Sequence, residues 1–215
     1  MNLPEAYLDR MKGQLGEDFD AYLAAMAEPE KRAARANGLK LSPEKLAELR
    51  PDFIPTGGEG FLLPEGFAPG RDPLHAGGAY YVQELSAQMP ASLFDLTPAM
   101  AMLDVCAAPG GKSAQLAAKV PQGVLFSNEI VPNRANVLLG NLGRMGARNA
   151  VITSMDPEKL TALTGPIFDA VLVDAPCAGE GMFRKDPGAV AEWSPSTFYP
   201  APGDSGRSSP PRRRR

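Results

Sequence analysis

Apolar and polar positions along this 215-residue chain follow two different rhythms. Over the first ~50 residues the period is helical. Phe19, Tyr22, Leu23 and Met26 stand at i, i+3, i+4 and i+7 and make one apolar stripe. Ser42-Pro43-Glu44 reads as a helix start: a capping hydroxyl, a proline for the first turn, then an acid near the positive helix end. Residues 51–79 are rich in proline and glycine and predict a connector of turns, with room for short strands. The stretch 80–96 returns to a helical pattern. From residue 100 the rhythm becomes strand, helix, strand, helix. AMAMLDVC, GVLFSNEI, NAVITSM and FDAVLVDAPC are short apolar runs suited to buried strands. Between the second and third, PNRANVLLGNLGRMG predicts a helix with Ala135, Leu138, Leu139 and Leu142 on one face and Gly146 as its stop. Such alternation implies a doubly wound parallel sheet in an α/β fold.

Composition adds limits. No apolar run approaches the ~20 residues of a membrane helix, and the N-terminus has acids where a signal peptide would be basic and then apolar. A cytoplasmic protein without a membrane partner is the expectation. Cys106 and Cys177 are the two cysteines, and His75 is the single histidine. That set argues against a disulfide scaffold and against a structural zinc site, so no metal is expected. His75 has no evident sequence partner and reads as a surface or structural residue. The formal charge of −3 conceals a basic tail, with five basic side chains and one acid in residues 196–215. Net charge by itself does not point to RNA, since phosphate binding favours a more basic body.

The chemistry concentrates where two strands end. LDVCAAPGGKS (103–113) is a strand, a Gly-Gly turn and a helix start, a place where a nucleotide-like cofactor can approach backbone N–H groups. Glu129 lies 18 residues past Gly111, a spacing that lets a carboxylate accept from both ribose hydroxyls. Asp156, just after the third strand, is placed to reach an adenine amine. A phosphate-binding P-loop would need glycine where Cys106 stands. A nicotinamide-type turn needs Gly-x-Gly-x-x-Gly, which adjacent glycines do not supply, so an oxidoreductase fits poorly. The plainest alternative is that Gly110 and Gly111 only make a tight turn. At the fourth strand end, Asp174-Ala175-Pro176-Cys177 sets a carboxylate beside a thiol. Asp174 suits hydrogen bonding to a base, and Cys177 suits nucleophilic attack once ionised. Cys106, between Val105 and Ala107, reads as packing. Arg184 and Lys185 could meet a backbone phosphate.

These motifs resemble the RNA (cytosine-5)-methyltransferases of the NOL/NOP/Sun family, in its bacterial 16S ribosomal RNA branch. The resemblance rests on residues 103–113, 127–146, 174–187 and 75–88, above all on CAAPGGK paired with DAPC. It implies a class I, Rossmann-like methyltransferase fold with a small, mainly helical N-terminal region. It also implies S-adenosyl-L-methionine as cofactor, and ribosomal RNA or the small-subunit particle as partner. By position, Cys106, Ala107, Ala108, Pro109, Gly110, Gly111 and Lys112 would line the cofactor. Glu129 would hold its ribose, Asp156 its adenine, and Asp174 the junction with the target base. The implied chemistry adds a thiolate to carbon 6 of cytosine, so that carbon 5 can accept a methyl group from a target reached outside its helix.

The sequence also departs from that pattern. In the family the attacking thiol belongs to a Thr-Cys or Ser-Cys at the end of a fifth strand, and no cysteine follows Cys177 here. Cys177 then corresponds to the thiol associated with product release, or to a residual nucleophile. After Pro195 the sequence turns to a Pro/Ser/Arg-rich run, the expectation for a truncated or frameshifted member lacking its C-terminal strands. The expected organisation is an RNA-contacting helical region and connector over 1–79, a partial cofactor-binding domain over 80–195, and a disordered basic tail over 196–215. Its four strands are expected in the order 3-2-1-4, with the fourth an open apolar edge that lowers solubility. The competing function is a non-catalytic protein that binds RNA or cofactor.

Overall fold

The computed structural model describes residues 3–177 and 179–195; the expected tail, 196–215, lies outside the described residues. The chain divides into two compact units, one of residues 31–175 and a smaller one joining the N-terminal 30 residues to the segment from Pro176 onward.

The smaller unit begins with helices α1 (Glu5–Leu15) and α2 (Phe19–Ala27). The stripe Phe19, Tyr22, Leu23 and Met26 is the half-buried face of α2, while the positions between are exposed. Tyr7 of α1 is buried and meets the edges of Phe183 and Trp193, with ring centres 5.0 and 5.7 Å away. Its hydroxyl hydrogen-bonds that of Tyr22. Glu180 accepts from Arg10 at 2.6 Å and from the Trp193 indole at 2.7 Å. Burial in this cluster raises the Tyr7 phenol well above its ordinary value, and the bond to Tyr22 adds to the shift.

The larger unit contains two sheets. The first is antiparallel, in the order β2-β3-β1-β4, with β1 (Ala33–Ala36), β2 (Ile54–Gly57), β3 (Gly60–Leu62) and β4 (Tyr80–Val82). Helix α3 (Pro43–Leu49) starts as expected, the Ser42 hydroxyl accepting from the Lys45 N–H at 3.3 Å. A short helix α4 (Pro73–Ala76) precedes β4, and α5 (Leu85–Ser92) follows it. The helical readings of residues 1–50 and 80–96 therefore need correction at β1 and β4. AARA has the composition of a helix, but β1 pairs on both edges, with β3 and with β4, and all four of its residues are buried. Tertiary pairing overrides local preference there.

The second sheet is parallel and runs β7-β6-β5-β8, the expected 3-2-1-4 order. Its strands are β5 (Ala101–Asp104), β6 (Val124–Asn128), β7 (Ala150–Thr153) and β8 (Ala170–Leu172). The connecting helices are α6 (Gly111–Lys119), α7 (Pro132–Met145) and α8 (Pro157–Thr164). Met102, Leu116, Leu125 and Leu172 share one core. Helix α7 stops at Gly146 as expected, but its buried face is Ala135, Leu138, Leu142 and Met145, and Leu139 is 55% exposed. Among the described residues β8 pairs only with β5, and Val171 and Val173 are exposed. The last helix, α9 (Pro187–Glu192), belongs to the smaller unit. Among the described residues no helix is long and apolar enough to cross a membrane.

Candidate functional site

All four parallel strands end in a carboxylate. Asp104 closes β5, Glu129 follows the last residue of β6, Asp156 comes three residues after β7, and Asp174 two residues after β8. Parallel register puts these four ends on one edge of the sheet, where α/β folds hold their ligands. Asn128 helps to fix that edge. Its amide donates to the carbonyls of Val105 at 3.2 Å and Met155 at 2.9 Å, and its oxygen accepts from the Thr153 hydroxyl at 2.8 Å.

Between β5 and α6 runs the glycine turn. Gly110 has φ +109°, a conformation L side chains rarely adopt, and a Cβ there would sit 3.0 Å from Leu138 Cδ1. A Cβ on Gly111 would lie 3.1 Å from the Tyr81 ring and 3.2 Å from the Gln83 amide. Ala107 and Ala108 are buried with Tyr81 and the inner face of α7.

Of the expected cofactor residues, Cys106 to Lys112 form this turn and the start of α6, and Glu129, Asp156 and Asp174 stand after the ends of β6, β7 and β8. Lys112 Nζ donates to Asp174 Oδ2 at 2.7 Å, which ties the turn to the end of β8 and unites the two motifs. Glu129 is buried, accepting from the Val131 N–H at 3.0 Å and pairing with Arg134 at 3.1 Å. Arg134 also donates to the Ala108 carbonyl at 3.0 Å. Asp156 caps α8, with Oδ1 accepting from the Glu158 N–H at 2.9 Å. Cys106 is half-buried; its thiol is pushed up by burial first and then by Glu129, Asp104 and Asp174. A thiol so placed is held in its unreactive form.

Asp104 was not singled out from sequence, yet it is the most perturbed acid of the group. It is almost fully buried, accepts from the Ser113 hydroxyl at 2.7 Å, and has its other oxygen without a hydrogen-bond partner. Burial, with Asp174 adding to it, lifts its pKa to about 6. Ser127, its register partner on β6, also has a buried hydroxyl with no partner. The available signal was an acid ending an otherwise apolar strand. For Arg134 it was a cation following Glu129 at the start of the next helix.

Cys177 is exposed and belongs to the smaller unit, three residues along the chain from Asp174. Arg184 and Lys185 lie in that unit too, and both have partners. Arg184 donates to the Ala25 carbonyl at 3.3 Å, and Lys185 pairs with Glu30 at 3.4 Å. His75 rests 5.4 Å from the Tyr80 ring, and its carbonyl accepts from Arg144. Among the described residues no group of three or more His, Cys, Asp or Glu side chains could hold a metal ion.

Residues 91–199 match the family model for 16S rRNA methyltransferase RsmB/F, and residues 3–85 match the N-terminal domain of 16S rRNA methyltransferase RsmF. The chain is 37% identical over 209 residues to ribosomal RNA small subunit methyltransferase F of Escherichia coli O17:K52:H18 (strain UMN026 / ExPEC), covering 90% of this chain and 44% of that protein. It is 38% identical over 212 residues to the protein of that name in Pectobacterium carotovorum subsp. carotovorum (strain PC1), covering 92% and 44%. The chain thus spans less than half the length of these curated relatives. Among solved structures, a methyltransferase homolog protein from Pyrococcus horikoshii superposes with TM-score 0.74 at 31% identity, over 85% of this chain and 62% of that one. NSun6 from Pyrococcus horikoshii with SFG superposes with TM-score 0.71 over 82% and 71%; at 19% identity it speaks to the fold alone.

Proposed function

The chain belongs to the RsmB/F family of 16S rRNA methyltransferases, and from that premise we propose that it binds S-adenosyl-L-methionine and acts in methylating carbon 5 of cytosine in small-subunit ribosomal RNA. The observation that carries this reading is the row of four strand-end carboxylates around a glycine turn. The turn lacks the glycine spacing of dinucleotide and nucleoside triphosphate sites, and the acids serve another ligand. They suit a nucleoside with hydroxyl and amine donors and a positive charge. The unpartnered buried oxygen of Asp104 is an acceptor of the kind such a ligand completes.

When bound, S-adenosyl-L-methionine supplies a methyl group on a sulfonium. The residues of this chain hold and orient it. The turn from Cys106 to Gly111 sets the backbone against the ligand, Glu129 accepts from ribose hydroxyls while Arg134 holds it in place, and Asp156 accepts from the adenine amine. Lys112 fixes Asp174, whose remaining oxygen is left to meet the target base. Cys177, exposed, is the thiol available for product release or for attack on the base. Arg184 and Lys185 would exchange Ala25 and Glu30 for phosphate oxygens. A ribosomal RNA substrate supports a cytoplasmic location.

Calorimetric titration with S-adenosylhomocysteine, NAD and ATP tests the first half of this reading. Binding of the first alone is expected, and equal or tighter binding of ATP or NAD refutes it. Transfer of tritiated methyl groups to unmodified 16S RNA tests the second half. Incorporation lost in Cys177→Ser assigns turnover to this chain through that thiol. Cofactor binding without incorporation supports the second reading, a non-catalytic protein that binds RNA or cofactor.

A further inference from the structure

Three carbonyl oxygens of the cofactor turn are gripped by side chains from outside it. Arg134 holds that of Ala108 at 3.0 Å, and Asn141 holds that of Pro109 at 2.8 Å. Gly111 is held from the antiparallel sheet, by Arg35 of β1 at 2.9 Å. Arg35 has no exposed surface. Its guanidinium also donates to Gln83 Oε1 at 3.3 Å and to the Ala36 carbonyl at 3.4 Å, with Glu59 as its counter-ion at 3.6 Å. Its cross-strand neighbour on β4, Tyr81, donates to the Pro109 carbonyl at 3.4 Å and packs with Ala107 and Ala108.

This is an expensive arrangement. A guanidinium loses its hydration on burial, and a cation close to the positive end of a helix is disfavoured. An apolar residue of the same volume would pack β1 at less cost. What the guanidinium supplies is a rigid fork with several donors. One of them fixes the peptide plane between Gly111 and Lys112. Because C=O and N–H point opposite ways in a trans peptide, anchoring the Gly111 oxygen in the protein turns the Lys112 N–H the other way. The same holds for Pro109 and the Gly110 N–H.

We propose that Arg35 is a positioning residue for the cofactor turn, so that the antiparallel sheet is part of the cofactor-binding apparatus. The proposal rests on the cofactor assignment above for its functional consequence but not for the brace itself. Two measurements on the whole chain separate these. Hydrogen exchange in the ligand-free protein reads the turn directly, and titration with S-adenosylhomocysteine reads the consequence. In Arg35→Met the amide of Ala114, which donates to the Gly110 carbonyl at 2.9 Å, should exchange about tenfold faster or more, with those of β5 and β6 unchanged. The dissociation constant should rise by about the same factor, and Arg35→Lys, which keeps the charge without the fork, should fall between. A residue needed only for folding would lower the melting temperature while leaving turn exchange and the dissociation constant of the folded protein as in wild type. That result overturns the proposal. Should Arg35→Met not fold, Arg35→Lys decides by the same readings. A wild-type chain that binds no S-adenosylhomocysteine overturns the cofactor assignment alone, and exchange at the turn then decides the brace.

Discussion

Replacing Asp104 by asparagine tests the electrostatics of the strand-end edge. The carboxyl is buried, and its pKa rises from 3.8 to about 6, because burial penalises its charged form and Asp174 adds repulsion, against the opposing bond from Ser113. A raised folded-state pKa means that the fold prefers the protonated acid. The favourable contribution is complete below pH ~3.8 and is lost as pH rises through 6, so above that the ionised group is a burden. At about 1.4 kcal/mol per unit, the burden comes to about 3 kcal/mol at neutral pH. Asparagine does not titrate, and any steric or hydrogen-bonding change it brings is the same at every pH. The informative quantity is therefore how the difference between variant and wild type moves with pH. Between pH 4.5 and 8 that difference should shift by about 2 kcal/mol in favour of Asp104→Asn, with most of the change complete by pH 7. Urea unfolding followed by far-ultraviolet circular dichroism is the suitable assay. Tryptophan fluorescence is not, since Trp193 lies in the smaller unit and Asp104 in the larger. A difference that stays constant within ~0.5 kcal/mol across this range would refute the claim that Asp104 is buried against its charge.

Three further outcomes are expected. Gly110→Ala should cost about 1–3 kcal/mol in urea unfolding, because alanine must adopt φ +109° and its Cβ meets Leu138. Arg134→Ala leaves the 3%-exposed Glu129 side chain without its cation. It should cost about 1–2 kcal/mol, less than a fully buried pair because Arg134 is itself half-exposed, and Glu129→Gln on that background should restore much of the loss. With Ellman's reagent at pH 8 the exposed Cys177 should react quickly and the half-buried, acid-flanked Cys106 slowly. Cys177→Ser should remove the fast phase alone, and a fast phase that survives it would contradict the assignment.

The parallel half of the fold was legible because its strands are continuous apolar runs that end at small residues and acids. Their order came with the family resemblance, because right-handed connections alone allow other orders as well. The antiparallel half was not. Ala33–Ala36 carries no alternation, and its strand conformation comes from partners 25 to 48 residues away in sequence, in Gly60–Leu62 and Tyr80–Val82. In α7 the period was right and the phase was wrong. At 100° per residue the buried face centres between Leu138 and Leu142, so Leu139 lies about 80° off it. Of the candidate site, the sequence pointed to residues that carry a motif: the turn, Lys112, Glu129, Asp156 and Asp174. It did not point to those that act on them through space. Arg35 stands 76 residues before Gly111, and nothing in its neighbourhood distinguishes it from a solvated arginine.

Those hidden residues change what the glycine turn is. Its glycines meet protein on the side where a Cβ would project, Leu138 at Gly110 and Tyr81 and Gln83 at Gly111. Their need for glycine therefore begins with packing, before any ligand is considered. The simplest alternative, a turn that is only tight, is correct about that requirement. It does not account for a wholly buried arginine bonded to Gly111, an exposed-side arginine bonded to Ala108, and an asparagine bonded to Pro109. A turn of short loop length holds itself without three external anchors. Oxygens tied inward leave N–H donors at the edge, beside strand-end acids of which Asp174 is paired with Lys112 and Glu129 with Arg134. Sequence identity with the rRNA methyltransferases shows the family, and this division of polarity is the physical basis on which the cofactor proposal above rests.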